Sequence, residues 1–152
     1  MPNRILVPVD LADMRHTRSV LSGAVKQWNT MKDPELILMT VVPEMVAGLD
    51  WRYAIRGETG GSEDWDIKKA LRATVERLNE VASEYIPDGV SFKTIARHGR
   101  VYEEVLEVAS EQDVDQIVIG AHRPRSTDFL LGANAARIVR HATCSVTVIR
   151  EQ

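Results

Sequence analysis

The sequence predicts a doubly wound α/β sandwich, in which a five-stranded, mostly parallel sheet carries helices on both faces. Two observations support this fold class. Five short runs rich in Val and Ile alternate with four amphipathic helical patterns, and no repeat or linker interrupts the alternation. Three of the runs are apolar at nearly every position, as expected for strands that are buried on both faces of a parallel sheet.

The five runs differ in a way that predicts their place in the sheet. RILVPVD, ELILMTVV and DQIVIGA, at residues 4–10, 35–42 and 115–121, are nearly continuous apolar runs and should lie in its middle. VSFKTIAR and CSVTVIR, at residues 90–97 and 144–150, alternate more and should form its edges. Pro8 cannot donate a ladder hydrogen bond, so it should end the first strand.

Four helical segments connect these strands. The first follows Asp13, the second starts near Asp64, the third starts at Val101, and the fourth covers ANAARIVRHA at residues 133–142. Each has one apolar stripe. The connection over residues 43–63 is longer than usual in a compact domain. Its glycines favour mobility, whereas Trp51 and Tyr53 favour docking onto another surface, and both interpretations stay open.

Length, charge and cysteine count narrow the function classes. A chain of 152 residues suits one domain over residues 1–152, and a net charge of −3 argues against a nucleic-acid partner. Cys144 is the only cysteine, which fits a reducing compartment and a packing role better than a nucleophilic one. No apolar run approaches the ~20 residues of a membrane span, so we expect a cytoplasmic protein without membrane insertion.

An anion site is predicted at the carboxyl ends of the first and fourth strands. With strand order 3-2-1-4-5, these two strands flank the crevice where the order reverses, and ligands of open α/β sheets bind there. A basic, hydroxyl-rich loop with Arg123, Arg125, Ser126 and Thr127 precedes Gly132, which opens the last helix. The free N–H groups and the dipole of a helix N-terminus favour phosphate, and glycine lets the backbone approach it closely.

Two segments resemble the universal stress protein family: ILVPVD at residues 5–10 and GAHRPRSTDFLLGANAARIVRHATCSVTVIR at residues 120–150. The similarity covers the whole chain in strand order, segment lengths and glycine positions. It resembles in particular the small bacterial members whose loop reads SHRP and whose last helix opens LLGSNAA. The resemblance implies a Rossmann-like fold of the adenine nucleotide alpha hydrolase-like type.

The resemblance also implies a ligand. ATP-binding members carry G-x-x-G, nine residues, and then G followed by Ser or Thr, so it implies ATP, with Mg²⁺ held through the phosphates. Here Arg123 replaces the second glycine, the spacer is one residue shorter, and Ala133 replaces the hydroxyl residue. Arg123, Arg125 and the neighbouring hydroxyls could supply the missing contacts. The predicted nucleotide-binding residues are Pro8, Asp10, Val41, Gly120, His122, Arg123, Arg125, Ser126, Thr127, Gly132, Ala133 and Asn134.

The leading functional prediction is an ATP-binding regulatory protein of the stress response. A nucleotide-free dimeric scaffold, with its phosphate site closed by Arg123 and Ala133, and a slow ATPase stay open as alternatives. The sequence has no P-loop motif and no set of base, nucleophile and oxyanion donors near the loop, so catalysis is unsupported. A receiver domain is rejected, since the third strand ends without aspartate and the fifth without lysine.

The last strand is a natural sheet edge. Pairing it with its copy in a second subunit would cover that edge, as members of the resembled family commonly do. We therefore expect a homodimer through the last strand, with Val146 and Val148 at the two-fold axis.

Asp10 has a second interpretation, in which its side chain only caps the turn after the first strand.

Overall fold

The computed structural model describes residues 3–43, 63–121 and 132–150, with the side chains of the helix that begins at residue 63 described from Ile67 onward. Some of the predictions concern residues outside these ranges. They are the predictions for the 43–63 connection, except its two end residues, and those for His122, Arg123, Arg125, Ser126 and Thr127. The strands are β1 (Asn3–Pro8), β2 (Pro34–Pro43), β3 (Phe92–Gly99), β4 (Gln116–Ala121) and β5 (Ser145–Arg150), and the helices are α1 (Met14–Thr30), α2 (Glu63–Tyr85), α3 (Val101–Glu111) and α4 (Ala133–His141).

The five strands form one sheet in the order β3-β2-β1-β4-β5, and all four pairings are parallel. The predicted fold class, strand order and edge strands are therefore confirmed. Pro8 ends β1, where it pairs in register with Met39. Strand ends differ from the predicted ones by up to two residues, and β5 begins at Ser145, one residue after Cys144.

The sheet separates two apolar cores. Side chains of consecutive strand residues point to opposite faces, so Ile5 and Leu36 pack under α1 and α2, whereas Leu6 and Ile37 pack under α3 and α4. All four are fully buried. Burial on both faces is why the central strands are apolar at consecutive positions rather than at alternate ones.

Helix α1 approaches the sheet closely at two glycines. A Cβ atom on Gly23 would lie 2.5 Å from Cδ1 of Ile149 in β5. A Cβ atom on Gly120 of β4 would lie 2.5 Å from Nε2 of His16, and Cε1 of His16 and Cγ2 of Val20 would be closer still. Helix and sheet can make this contact only because neither glycine has a side chain.

None of the helices in the described ranges is both long enough and apolar enough to cross a membrane.

Candidate functional site

A cleft of about 520 Å³ lies at the carboxyl edge of the sheet, where the chain leaves β1 and β4 in opposite directions. Its size falls within the range of small-molecule binding sites. The walls are mainly apolar, with few polar side chains. Seven of the predicted site residues line it together: Pro8, Asp10, Val41, Gly120, Gly132, Ala133 and Asn134.

Asp10 shapes the turn that leads from β1 into α1. Its Oδ1 accepts a hydrogen bond from the Ala12 N–H at 2.9 Å, and its carbonyl oxygen accepts from the Thr17 hydroxyl at 2.6 Å. The turn role considered from the sequence is therefore present. Among the described residues no hydrogen bond reaches Oδ2 of Asp10, so one carboxylate oxygen of this exposed residue stays available on the cleft.

Val41 contributes backbone groups to the cleft. The Val9 N–H donates to the Met39 carbonyl at 2.8 Å, and within the described residues no later backbone hydrogen bond joins these two segments. Alternate residues of a parallel strand direct their backbone groups to the same neighbour. The N–H and C=O of Val41 therefore point past the end of β1, where a ligand can satisfy them.

The N-terminus of α4 supplies the electropositive end of the cleft. Gly132 precedes the helix with φ 91° and has no side chain to cap it, and the first turn contains no acidic residue. Helix α1 differs, because Asp13 caps it by accepting from the His16 N–H, and α3 carries Glu103 and Glu104 in its first turn. Of these three N-termini, α4 is therefore the best placed to bind an anion.

Gly120 has a structural role that its motif position did not indicate. The sequence interpretation assigned this glycine to the close approach of a phosphate. In the structure, the space that its side chain would occupy is filled by His16 and Val20 of α1. Helix packing therefore explains a glycine here, whether or not a ligand also contacts the residue.

Three polar residues of the cleft were missed by the sequence analysis: His16, Thr40 and Thr74. His16 is 7% exposed and Thr40 is 5% exposed, so both lie at the base of the cleft. Thr40 left a signal in the sequence, because it is the one polar residue in the apolar run over residues 36–42. Thr74 and His16 lie on helices, where nothing in the local pattern marked them.

Cys144 packs, partly buried, against the core under α3 and α4. Burial raises the pKa of its thiol, which leaves less thiolate at neutral pH. This environment agrees with the predicted packing role rather than with a nucleophile.

Comparison with known proteins identifies the family. The model of the universal stress protein family matches residues 1–150. Universal stress protein G of Shigella flexneri is 40% identical over 154 residues, which cover 99% of this chain and 100% of the relative. Universal stress protein UspA from Lactobacillus plantarum has a TM-score of 0.65 and 25% identity over 97% of both chains.

A more distant structure has the same fold. The universal stress protein from Archaeoglobus fulgidus in complex with dAMP has a TM-score of 0.57 and 19% identity, covering 97% of each chain. The family match over nearly the whole sequence, the 40% identity and the common fold agree with one another. This chain belongs to the universal stress protein family.

Proposed function

We propose that this protein binds ATP in the cleft and acts as a nucleotide-dependent regulatory protein of the stress response. One observation carries the proposal: a single cavity joins the N-terminus of α4, which begins after Gly132 without a side-chain cap from that residue, to apolar walls and to backbone groups at the strand ends that no described residue pairs. A nucleotide combines the matching parts, because its phosphates are anionic and its base is a flat, largely apolar ring with polar edges.

The phosphates would bind at the first turn of α4. Among the described residues no side chain caps the N–H groups after Gly132, and the Asn134 side chain is exposed on the cleft. Mg²⁺ would be bound through the phosphates rather than by a protein site. The sequence also predicts that a basic loop supplies positive charge and hydrogen-bond donors to the phosphates, and this stays a prediction. The residues concerned are His122, Arg123, Arg125, Ser126 and Thr127.

The adenosine part would bind at the ends of β1 and β2. Val41 offers one backbone donor and one acceptor, Pro8 offers an apolar surface, and Oδ2 of Asp10 can accept from a ribose hydroxyl. Complexes of distant relatives support an adenine nucleotide, namely the Archaeoglobus protein with dAMP, an Arabidopsis family protein with AMP and a universal stress protein with cAMP.

Calorimetric titration of the nucleotide-stripped protein with ATP and Mg²⁺ tests this proposal. We expect micromolar or tighter binding of ATP and weaker binding of GTP. The absence of binding heat, with a folded protein by circular dichroism, would contradict the proposal and favour the nucleotide-free scaffold. Repeated release of phosphate, lost in Asp10→Ala, would instead support the slow ATPase.

We also propose that two copies pair through β5. Val146 and Val148 are only partly buried within one chain, and Val139 of the preceding helix is 43% exposed. Val148→Lys is expected to convert a dimer into a monomer in sedimentation equilibrium, because a charge would be buried at the two-fold axis. The control is Lys93→Glu on the opposite edge strand, which should stay dimeric. A dimeric Val148→Lys variant would contradict pairing through β5.

A further inference from the structure

We propose that the cleft has a second part, the α1–α2 lobe, in which the Thr40 hydroxyl binds the nucleoside half of the ligand. This inference rests on the proposed nucleotide binding and names a specificity-determining residue for it. The α1–α2 lobe is the part of the cleft lined by Val9, His16, Thr40, Val42 and Thr74.

Alternation along the strands places this lobe on one face of the sheet. Leu36 and Leu38 of β2 belong to the core under α1 and α2, so Thr40, two residues further, faces the same side. Val41 faces the opposite side, where it packs against the core under α3 and α4. The cleft therefore continues past the strand ends onto both faces of the sheet. The N-terminus of α4 lies on only one of these faces, the one covered by α3 and α4.

The Thr40 hydroxyl is the unusual polar group of this lobe. Thr40 is 5% exposed and lines the cleft, yet its side chain makes no hydrogen bond with any residue that the structure describes. Two other buried polar residues do bond within the protein, since Thr17 donates to the Asp10 carbonyl and Gln116 donates to the Thr147 hydroxyl. The Thr40 oxygen is not among the described side-chain atoms that are both fully buried and unpaired, so it lies at the cleft surface, where a ligand can supply its hydrogen-bond partner in place of water.

The chemistry of the lobe favours a neutral ligand group. None of the described residues that line the cleft is Lys or Arg, and the anion-binding helix end lies elsewhere. The Thr74 hydroxyl donates to the Ala70 carbonyl at 2.7 Å, so it faces a ligand only as an acceptor. Apolar walls with two hydroxyls and the His16 imidazole suit a base or sugar, because sites of this kind use a few polar groups to orient an apolar ligand.

Thr40→Val removes the hydroxyl and keeps the shape, so it tests the proposal directly. We expect Kd for ATP and for adenosine to rise by about 3- to 10-fold, the value of one neutral hydrogen bond. Kd for tripolyphosphate, which has no nucleoside, should not change. The melting temperature of the ligand-free variant should stay nearly equal, since no hydrogen bond to a described residue is lost. Thr40→Ser should recover most of the affinity.

Thr94→Val is the matched control. Thr94 lies on β3 in register with Leu38, bonds to Asn79 and does not line the cleft, so its substitution should leave all three Kd values unchanged. Equal weakening of all three ligands by Thr40→Val would indicate a general distortion and overturn the inference. Unchanged binding of ATP and adenosine would overturn it too, while ATP binding by the wild type would stand. A wild-type protein that binds none of the ligands would overturn both proposals.

Discussion

Gly120→Ala is expected to lower the free energy of unfolding by about 3 kcal/mol, the upper part of the range for overpacked cores. The added Cβ atom would lie 2.5 Å from Nε2 of His16 and closer to Cγ2 of Val20. Both side chains are buried, so neither can swing into solvent and α1 has to move. ATP binding should weaken as well, because His16 lines the cleft. Urea unfolding followed by circular dichroism measures the change in stability.

Gly89→Ala separates this effect from the general cost of replacing a glycine. Gly89 has φ 93° with no atom within 4 Å of the added Cβ, so only backbone strain of about 1 kcal/mol is expected, without loss of ATP binding. Adding Val20→Ala to Gly120→Ala should return part of the lost stability by making room. Equal losses for the two single glycine variants would show that the contact with α1 is not the cause.

Ala133→Asp is expected to weaken ATP binding at least 30-fold, or roughly 2 kcal/mol, and to leave the fold equally or more stable. Ala133 begins α4 on the cleft, so a carboxylate there would repel the phosphates at short range. The same carboxylate suits the helix dipole and should add about 0.3–1 kcal/mol to the free energy of unfolding. Calorimetry and thermal unfolding measure the two opposite effects.

Two comparisons make the Ala133→Asp result specific. Adenosine has no phosphate, so its binding should be unaffected. Ala136→Asp puts the same charge on an exposed residue of α4 that does not line the cleft, and it should weaken ATP binding much less. Ala133→Ser, which restores the family hydroxyl, should improve ATP binding by about 3-fold. Unchanged ATP binding by Ala133→Asp would place the phosphates elsewhere.

The fold could be predicted because its determinants are local and repeated. Consecutive apolar residues, such as Ile37 and Leu38, occur where a strand is covered on both faces, and alternation occurs at the edges. Pro8 could be placed at a strand end because it lacks an N–H. Strand ends were less accurate, since the last pairing depends on the neighbouring strand rather than on the residue itself.

The site was predictable in the residues at the carboxyl ends of β1, β2 and β4 and at the start of α4. Asp10 and Val41 could be placed on the cleft from topology alone, because parallel strands end at one edge. Thr40 and Thr74 line the part of the cleft between the sheet and the helices α1 and α2. Their position there depends on how these helices pack on the sheet, which the local sequence does not show. The reason for glycine at position 120 was missed because His16 and Val20, which occupy the space, lie a hundred residues or more earlier in the sequence.

The contact between Gly120 and α1 also limits how this sequence can change over evolutionary time. A larger residue at position 120 is compatible with the fold only if positions 16 and 20 become smaller, and each of those changes alone would leave a cavity or remove a wall of the cleft. The three positions should therefore be inherited as a unit. A relative with a side chain at position 120 is expected to carry small residues at the other two, and with them a differently shaped cleft.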